Sequence, residues 1–189
     1  MYVLKTAPTI EPISVEEAKE HMRIDHTEED TYVGLLIKSA REMTENYLRR
    51  SLITQTWECW MDAWPPDPFT VLHGNLLTVT SIKYYDTDDV IATFASTYYY
   101  ADTKSDRIGL NYGESWPTTT LRPINGVVVE FTAGYGATAA SVPEAIRQAM
   151  LLLVGHLYEN REPVVMGTII GKVPFAYEAL LYPYRNIRF

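Results

Sequence analysis

Four histidines are the side chains of this sequence best suited to metal or acid-base chemistry. His21, His26, His73 and His156 lie far apart, with no HExxH pair and no cysteine nearby. Metal ligation needs several converging donors, and catalysis needs a base within reach of a nucleophile. The spacing therefore favours His156 as a helix-packing or capping residue and the other three as surface or partly buried residues.

Two short motifs resemble ligand-binding loops but lack the residues that such loops need. The aspartates at 86, 88 and 89 have neither the glycine nor the glutamate of an EF-hand, so they predict a turn. Gly134-Tyr135-Gly136 lacks the lysine and third glycine of phosphate-binding loops, which favours a strand exit with positive φ. Cys59 lies in an alternating segment and is interpreted as a small buried hydrophobe. No catalytic, cofactor-binding or metal-binding residue is predicted.

Composition narrows the class of protein further. The 189 residues are 47% apolar and carry a net charge of −8, which argues against a general nucleic-acid binder. A single cysteine excludes an internal disulfide, so a reducing compartment is expected. No apolar run approaches the roughly 18 residues of a membrane span, and no membrane partner is expected.

Two helices are predicted in the N-terminal third. Ser14 and Glu17 form a capping-box pattern that begins a helix over 15–23. Thr27 is the predicted N-cap of a second, longer helix over 28–50. The apolar stripe predicted for this second helix consists of Tyr32, Leu36, Ala40, Met43 and Tyr47.

The middle of the chain has the alternation and β-branched content of strands. Turn residues separate seven short strands, predicted from 53 to 60 and over 69–73, 77–85, 90–94, 97–101, 107–110 and 127–132. The proline-containing stretch 113–123 is predicted to be a loop. Such a series indicates a small antiparallel barrel or sandwich.

Helical signals return near the C-terminus. Ser141 and Glu144 repeat the capping-box pattern before an apolar helix that ends at 159–162, and a short helix is predicted over 175–181. The fold class is therefore α+β. A helical body of 1–52 and 141–189, with two N-terminal and two C-terminal helices, carries an inserted small antiparallel β module, 53–140.

Several segments, in the same order, resemble the head-tail connector (adaptor) family of long-tailed bacteriophages. The most specific are FTAGYG, VPEAIRQA and YENRE, at 131–136, 142–149 and 158–162. The others are PISVEEAK with MRID, LITQTW, WP, and ALLYPYR near the end.

The resemblance implies a structural, non-enzymatic virion part that assembles in the cytoplasm of the bacterial host. It implies a homo-oligomeric ring, usually twelve-fold, between the portal protein and a downstream tail or head-completion protein. DNA would pass through the lumen without sequence-specific binding. The isolated subunit could remain monomeric until it meets its template. The β insert is larger than in the compact all-helical adaptors.

Two surfaces are predicted to make the contacts of such a part. One is the polar side of the second helix, a subunit interface formed by Lys38, Arg41, Glu42 and Glu45. A solvated helix face with its own ion pairs is the open alternative. The other surface is the C-terminal tail, expected to dock onto the portal; a frayed or self-packed terminus is the alternative. The tail residues concerned are Tyr182, Tyr184, Arg185, Arg188 and Phe189.

Two other classes of function stay open at this point. One is a small-molecule enzyme with a pocket between the β module and the helices, in which His73 or His156 would converge with a carboxylate. The other is an adaptor domain that binds a host or virion protein through the β module. Fold alone does not decide among these classes.

Overall fold

The chain divides into two units, each built from two segments of sequence. The structure is a computed structural model and describes residues 1–161 and 175–186. The β unit comprises Met1–Pro8 and Thr54–Tyr135, and the helical unit comprises Thr9–Ile53 and Gly136–Phe189. Together they confirm the predicted α+β class.

The described residues of the helical unit form four α-helices. They are α1 (Val15–Met22), α2 (Asp30–Leu48), α3 (Glu144–Glu159) and α4 (Phe175–Leu181). All four were predicted, and their ends differ from prediction by a few residues at most. Within the described residues, no helix has the length and apolar content that crossing a membrane requires.

The predicted capping box of α1 is confirmed. Ser14 Oγ accepts a hydrogen bond from the Glu17 amide at 3.1 Å, and the Glu17 carboxylate accepts one from the Ser14 amide at 2.7 Å. These two bonds satisfy donors that the first turn of a helix leaves unpaired. The helix ends at Arg23, whose left-handed conformation (φ 58°) closes the last turn.

The other two predicted caps are wrong. The N-cap position of α2 is Glu29, not Thr27, and it makes no side-chain capping bond. Ser141 lies in a 3₁₀ turn before α3, and its hydroxyl lies 2.9 Å from the Thr138 hydroxyl. The N-cap position of α3 is Pro143, not Ser141. In both cases the chain turns once more between the hydroxyl residue and the helix, and the sequence spacing alone does not reveal that turn.

The buried face of α2 lies one residue away from the predicted stripe. Its buried residues are Val33, Ile37, Ala40, Arg41, Thr44, Glu45 and Leu48. Met43, assigned to the stripe from its periodicity, is 43% exposed. The prediction assumed that charged residues face solvent. In the structure Arg41 and Glu45 lie on the buried side of α2, so the buried face differs from the predicted one by about one residue.

The β unit contains eight strands in two antiparallel sheets. They are β1 (Tyr2–Thr6), β2 (Gln55–Met61), β3 (Phe69–Thr70), β4 (Leu76–Tyr85), β5 (Ile91–Phe94), β6 (Tyr99–Asp102), β7 (Arg107–Leu110) and β8 (Val127–Ala133). The order is β1-β2-β8-β4-β5 in the larger sheet and β3-β7-β6 in the smaller one. Seven of the strands were predicted; the edge strand β1 was missed.

Both sheets contribute side chains to one hydrophobic core. Phe131 and Ile82 of the larger sheet and Ile108 of the smaller one are fully buried in it. Trp116, in the loop before β8, stacks on Trp64 with ring centroids 4.9 Å apart. This aromatic contact holds the proline-containing loop against the core.

One surface of the larger sheet carries a charged cluster. Glu58 of β2 lies directly opposite Glu130 of β8. Lys5 Nζ of β1 lies 3.0 Å from the first carboxylate and 2.6 Å from the second. Like charges directly opposite each other destabilise a sheet, and the lysine offsets that repulsion.

Candidate subunit interface

The groups best suited to chemistry in the β unit, a histidine and a cysteine, are partly or fully buried. His73 stacks on Trp57, with ring centroids 3.6 Å apart, and meets Tyr2 edge-on at 5.3 Å. Burial lowers the pKa of His73 from 6.5 to about 4, so the ring is neutral at pH 7. Cys59 is buried, and burial raises the pKa of its thiol, which makes it a poor nucleophile.

The remaining motifs have the local structures that the sequence predicted. Asp86 Oδ1 accepts the amides of Asp88 and Val90, both at 2.9 Å, and so stabilises a turn. Gly134 and Gly136 have φ of 144° and 156° at the exit of β8. Across the part of the chain that the structure describes, no three His, Cys, Asp or Glu side chains are placed to hold a metal ion.

The other histidines lie in the helical unit. His21, on α1, and His26, after it, are exposed, and His26 Nδ1 lies 3.2 Å from Glu28. His156 lies in the last turn of α3, where its carbonyl accepts a bond from the Asn160 side chain at 2.8 Å. The position of His156 agrees with the packing or capping role predicted for it.

The four residues predicted to form a subunit interface on α2 fall into two pairs. Lys38 and Glu42 are exposed; Lys38 makes no ion pair with a described residue, whereas Glu42 lies 3.6 Å from Arg41 Nη2. Arg41 and Glu45 are buried, with exposures of 3% and 8%. The first two residues stay on the surface of the helical unit, whereas the buried pair belongs to its interior.

The buried pair is part of a network that joins three segments. Arg41 donates from Nε to Glu11 at 2.8 Å and from Nη1 to Glu45 at 2.9 Å. Glu45 in turn accepts the Leu52 amide at 2.8 Å. Burial alone would lower the pKa of Arg41, but the two carboxylates outweigh it and raise that pKa above its ordinary value. The network ties α2 to the segment before α1 and to the chain that follows α2.

Two apolar residues lie on the exposed side of α2 and were not assigned to an interface from sequence. Leu35 is 59% exposed, and Met43 is exposed as well. Large apolar side chains that stay exposed in the subunit gain free energy when a partner surface buries them. We call Leu35, Lys38, Glu42 and Met43 the α2 ridge. Leu35 already lay outside the stripe predicted from the sequence, which is the signal that could have identified it. Met43 is recognised as a surface residue only once Arg41 and Glu45 are known to be buried.

A cleft of about 280 Å³ lies between α1 and α3. Arg147 crosses its floor: Nε donates to the Pro12 carbonyl at 3.0 Å, Nη1 donates to Glu144 at 2.7 Å, and Nη2 pairs with Glu17. The Ser14 amide bond and the guanidinium together hold the pKa of Glu17 below its ordinary value. The cleft is lined by Glu17, Glu20, His21, Glu144, Arg147, Gln148 and Leu151.

A second arginine fixes the far end of α3. Arg161 Nη2 donates to Glu29 at 2.7 Å, and its guanidinium lies over the rings of Tyr32 and Tyr158 at 4.7 and 4.8 Å. The hydroxyl of Tyr158 also donates to Glu29. These contacts join the end of α3 to the start of α2.

The C-terminal tail packs against α2 as far as it is described. The Asn186 amide donates to the Leu48 carbonyl at 2.9 Å, and Arg50 Nε donates to the Tyr184 carbonyl at 2.9 Å. Arg185 lies over the Tyr47 ring at 5.0 Å. Among the residues predicted to dock onto the portal, Tyr182 and Arg185 are exposed and Tyr184 is partly buried, while Arg188 and Phe189 lie outside the described residues.

Solved structures resemble this fold over the whole chain. A chain from the neck of an empty gene transfer agent particle, computed with C6 symmetry, has a TM-score of 0.83 and 26% identity. A chain from the neck of the native particle, computed with C12 symmetry, has a TM-score of 0.81 and 25% identity. Each alignment covers 100% of this chain and 97% of the other. The fold is thus that of these neck components.

The sequence itself matches a family model. The match is to the Phage gp6-like head-tail connector protein and spans residues 12–185. No curated protein matches this sequence. The chain belongs to the Phage gp6-like head-tail connector family, as its motifs predicted, and its function is that of a structural connector of a phage-like particle.

Proposed function

We propose that this chain is a non-enzymatic subunit of a homo-oligomeric, twelve-fold ring between the portal and the tail of a phage or prophage particle. The carrying observation is the family match together with whole-chain similarity to a neck computed with C12 symmetry. DNA passes through the lumen without sequence-specific binding. The net charge of −8 supports passage, because an acidic wall repels a duplex. The subunit is made in the host cytoplasm and ends in the virion.

The ring needs two different contact faces on each subunit. A head-to-tail interface joins unlike surfaces, and the angle between them determines whether the ring closes. The α2 ridge is one of these faces in our proposal. It is exposed, it combines Leu35 with Lys38, and the rest of α2 is fixed from within by the Arg41 network.

The tail is the proposed contact with the portal. Tyr182 is 63% exposed, and Arg185 is exposed beside it. An exposed aromatic beside an arginine is a combination enriched at the centres of interfaces. The double variant Tyr182→Ser with Arg185→Ser should leave a folded subunit that no longer joins heads to tails. Deletion of residues 182–189 should do the same. Normal head joining by both variants would refute the tail contact.

The β unit is proposed to be an insertion in the helical body. The division of the chain near residues 53 and 136 supports this organisation, and Met1–Pro8 joins the β unit. Expression of residues 54–135 alone would lack the edge strand β1. We therefore expect this fragment to be less stable than one in which residues 1–8 are linked to it.

The ring itself is tested by mass and shape in solution. Light scattering and negative-stain images, at low and high protein concentration, should show rings with a hole wide enough for duplex DNA. If the protein is monomeric at every concentration, the same images are recorded after mixing with the portal. A chain that forms no ring alone and binds no portal would refute the proposed function.

A further inference from the structure

The cleft between α1 and α3 has an excess of negative charge on its rim. Arg147 at its floor already pairs with Glu17 and Glu144. Glu20 adds a third, exposed carboxylate that makes no ion pair with a described residue. Leu151 contributes an apolar wall. The cleft therefore offers one carboxylate and one apolar surface to an incoming group.

The size of the cleft restricts what can occupy it. Pockets for small molecules usually measure about 300–1,000 Å³ and bury most of the ligand. This cleft, about 280 Å³, is smaller and opens to solvent along two helices. It has room for one or two side chains presented by another surface.

The α2 ridge presents side chains of the complementary kind. Leu35 and Lys38 are three residues apart, so they are neighbours on one face of the helix. Leu35 is the most exposed large apolar residue of α2, and the Lys38 ammonium has no carboxylate partner among the described residues. A leucine beside a lysine matches a leucine wall beside a glutamate.

We infer that the α1–α3 cleft of one subunit receives Leu35 and Lys38 from the α2 ridge of a second copy, with Lys38 paired to Glu20 and Leu35 packed on Leu151. The inference rests on the proposed ring and identifies its second face. Ridge and cleft are different surfaces of the same chain, as a head-to-tail contact requires. Each subunit then uses its ridge on one neighbour and its cleft on the other.

Charge reversal tests the pairing in full-length protein. Lys38→Glu alone and Glu20→Lys alone should each raise the concentration for half-assembly about tenfold or more, because each puts like charges together. An equal mixture of the two variants should assemble as wild type does, since an alternating ring restores every contact. The double variant should also assemble. Glu16→Lys is the matched control, because Glu16 is exposed on the same helix but does not line the cleft.

A disulfide test reports the contact directly. Leu35→Cys combined with Gln148→Cys should give a ladder of multimers on oxidation, because Gln148 is exposed and lines the cleft. Either substitution alone should give no species larger than a dimer. The native Cys59 is buried and leaves the background low.

The outcomes separate this inference from the proposed function. Rings that form equally well from both charge-reversed variants, or variants that are impaired but not rescued by mixing, would overturn the ridge–cleft contact while leaving the ring in place. If the wild-type protein forms no ring, alone or mixed with the portal, and the double-cysteine variant gives no ladder, the ring and the contact are overturned together. Rescue by mixing, with the ladder, supports both.

Discussion

Replacing Arg41 by methionine should destabilise the subunit rather than its assembly. Arg41 is 3% exposed and its guanidinium pairs with Glu11 and Glu45, and Glu45 is itself 8% exposed. Methionine fills similar space but leaves the Glu45 carboxylate buried without its cation. Breaking a buried ion pair from one side costs about 3–5 kcal/mol. For a chain of this length such a loss lowers Tm by roughly 10 °C.

The assay is thermal and urea unfolding followed by far-ultraviolet circular dichroism, which reports the helical unit most strongly. Lys38→Met is the matched control: it removes a cation from the exposed side of the same helix and should change stability by no more than about 0.5 kcal/mol. The double variant Arg41→Met with Glu45→Gln should recover part of the loss. The amide of glutamine carries no charge, and its oxygen still accepts the bond that the Leu52 amide donates.

Two results would refute this reasoning. If Arg41→Met costs no more stability than Lys38→Met, the pair is hydrated in solution and the network contributes little. If Arg41→Met keeps its stability but no longer forms rings, Arg41 faces a neighbouring subunit, as its sequence position first suggested.

Three further perturbations probe other parts of the chain. The folded-state pKa of His73, about 4, is below its ordinary 6.5, so the unfolded state binds more protons between these two pH values. The free energy of unfolding should therefore fall by about 2–3 kcal/mol as pH drops from 6.5 to 4. Urea titrations at several pH values would measure this, and the fall should be smaller in His73→Phe. Gly136→Ala should lower the free energy of unfolding by about 1–3 kcal/mol, because φ is 156° and a Cβ would lie 2.5 Å from the Ser141 hydroxyl. Gly34→Ala, where a Cβ on α2 would meet open space, should be neutral or stabilising; thermal unfolding of both variants would show the difference. Lys5→Met should lower the free energy of unfolding by at most about 1 kcal/mol, and by less at high salt, because it leaves two opposed glutamates uncompensated. Lys104→Met, an exposed control, should lower it less. Equal losses in the two variants would show that the Lys5 bridge contributes nothing to stability.

Local signals in the sequence predicted much of the fold. The Ser14–Glu17 capping box and the alternation of the strands act through neighbouring residues, so they can be recognised without tertiary structure. The glycines at 134 and 136 likewise predicted a strand exit with positive φ, which the backbone has.

Tertiary contacts account for what the sequence did not predict. The strand β1 is an edge strand of five residues whose pairing with β2 depends on chain more than fifty residues away. Arg41 and Glu45 are charged residues that are buried because they pair with each other. The periodicity of apolar residues cannot predict the burial of such a pair. Because both residues were expected on the solvent side, the buried face of α2 was predicted one residue away from its true position, and Met43 was not recognised as a surface residue.

The distribution of cations in the helical unit suits the ring that we propose. Arg41, Arg147 and Arg161 each bind a carboxylate or carbonyl on another segment, and the guanidinium fixes direction as well as distance because it is planar. Ring closure repeats one angle at every interface, so a small error within the subunit accumulates around the ring. Rigid arginine contacts inside limit that error. Lys38 is exposed, and in the proposed ring its flexible ammonium would tolerate small misalignment between neighbours.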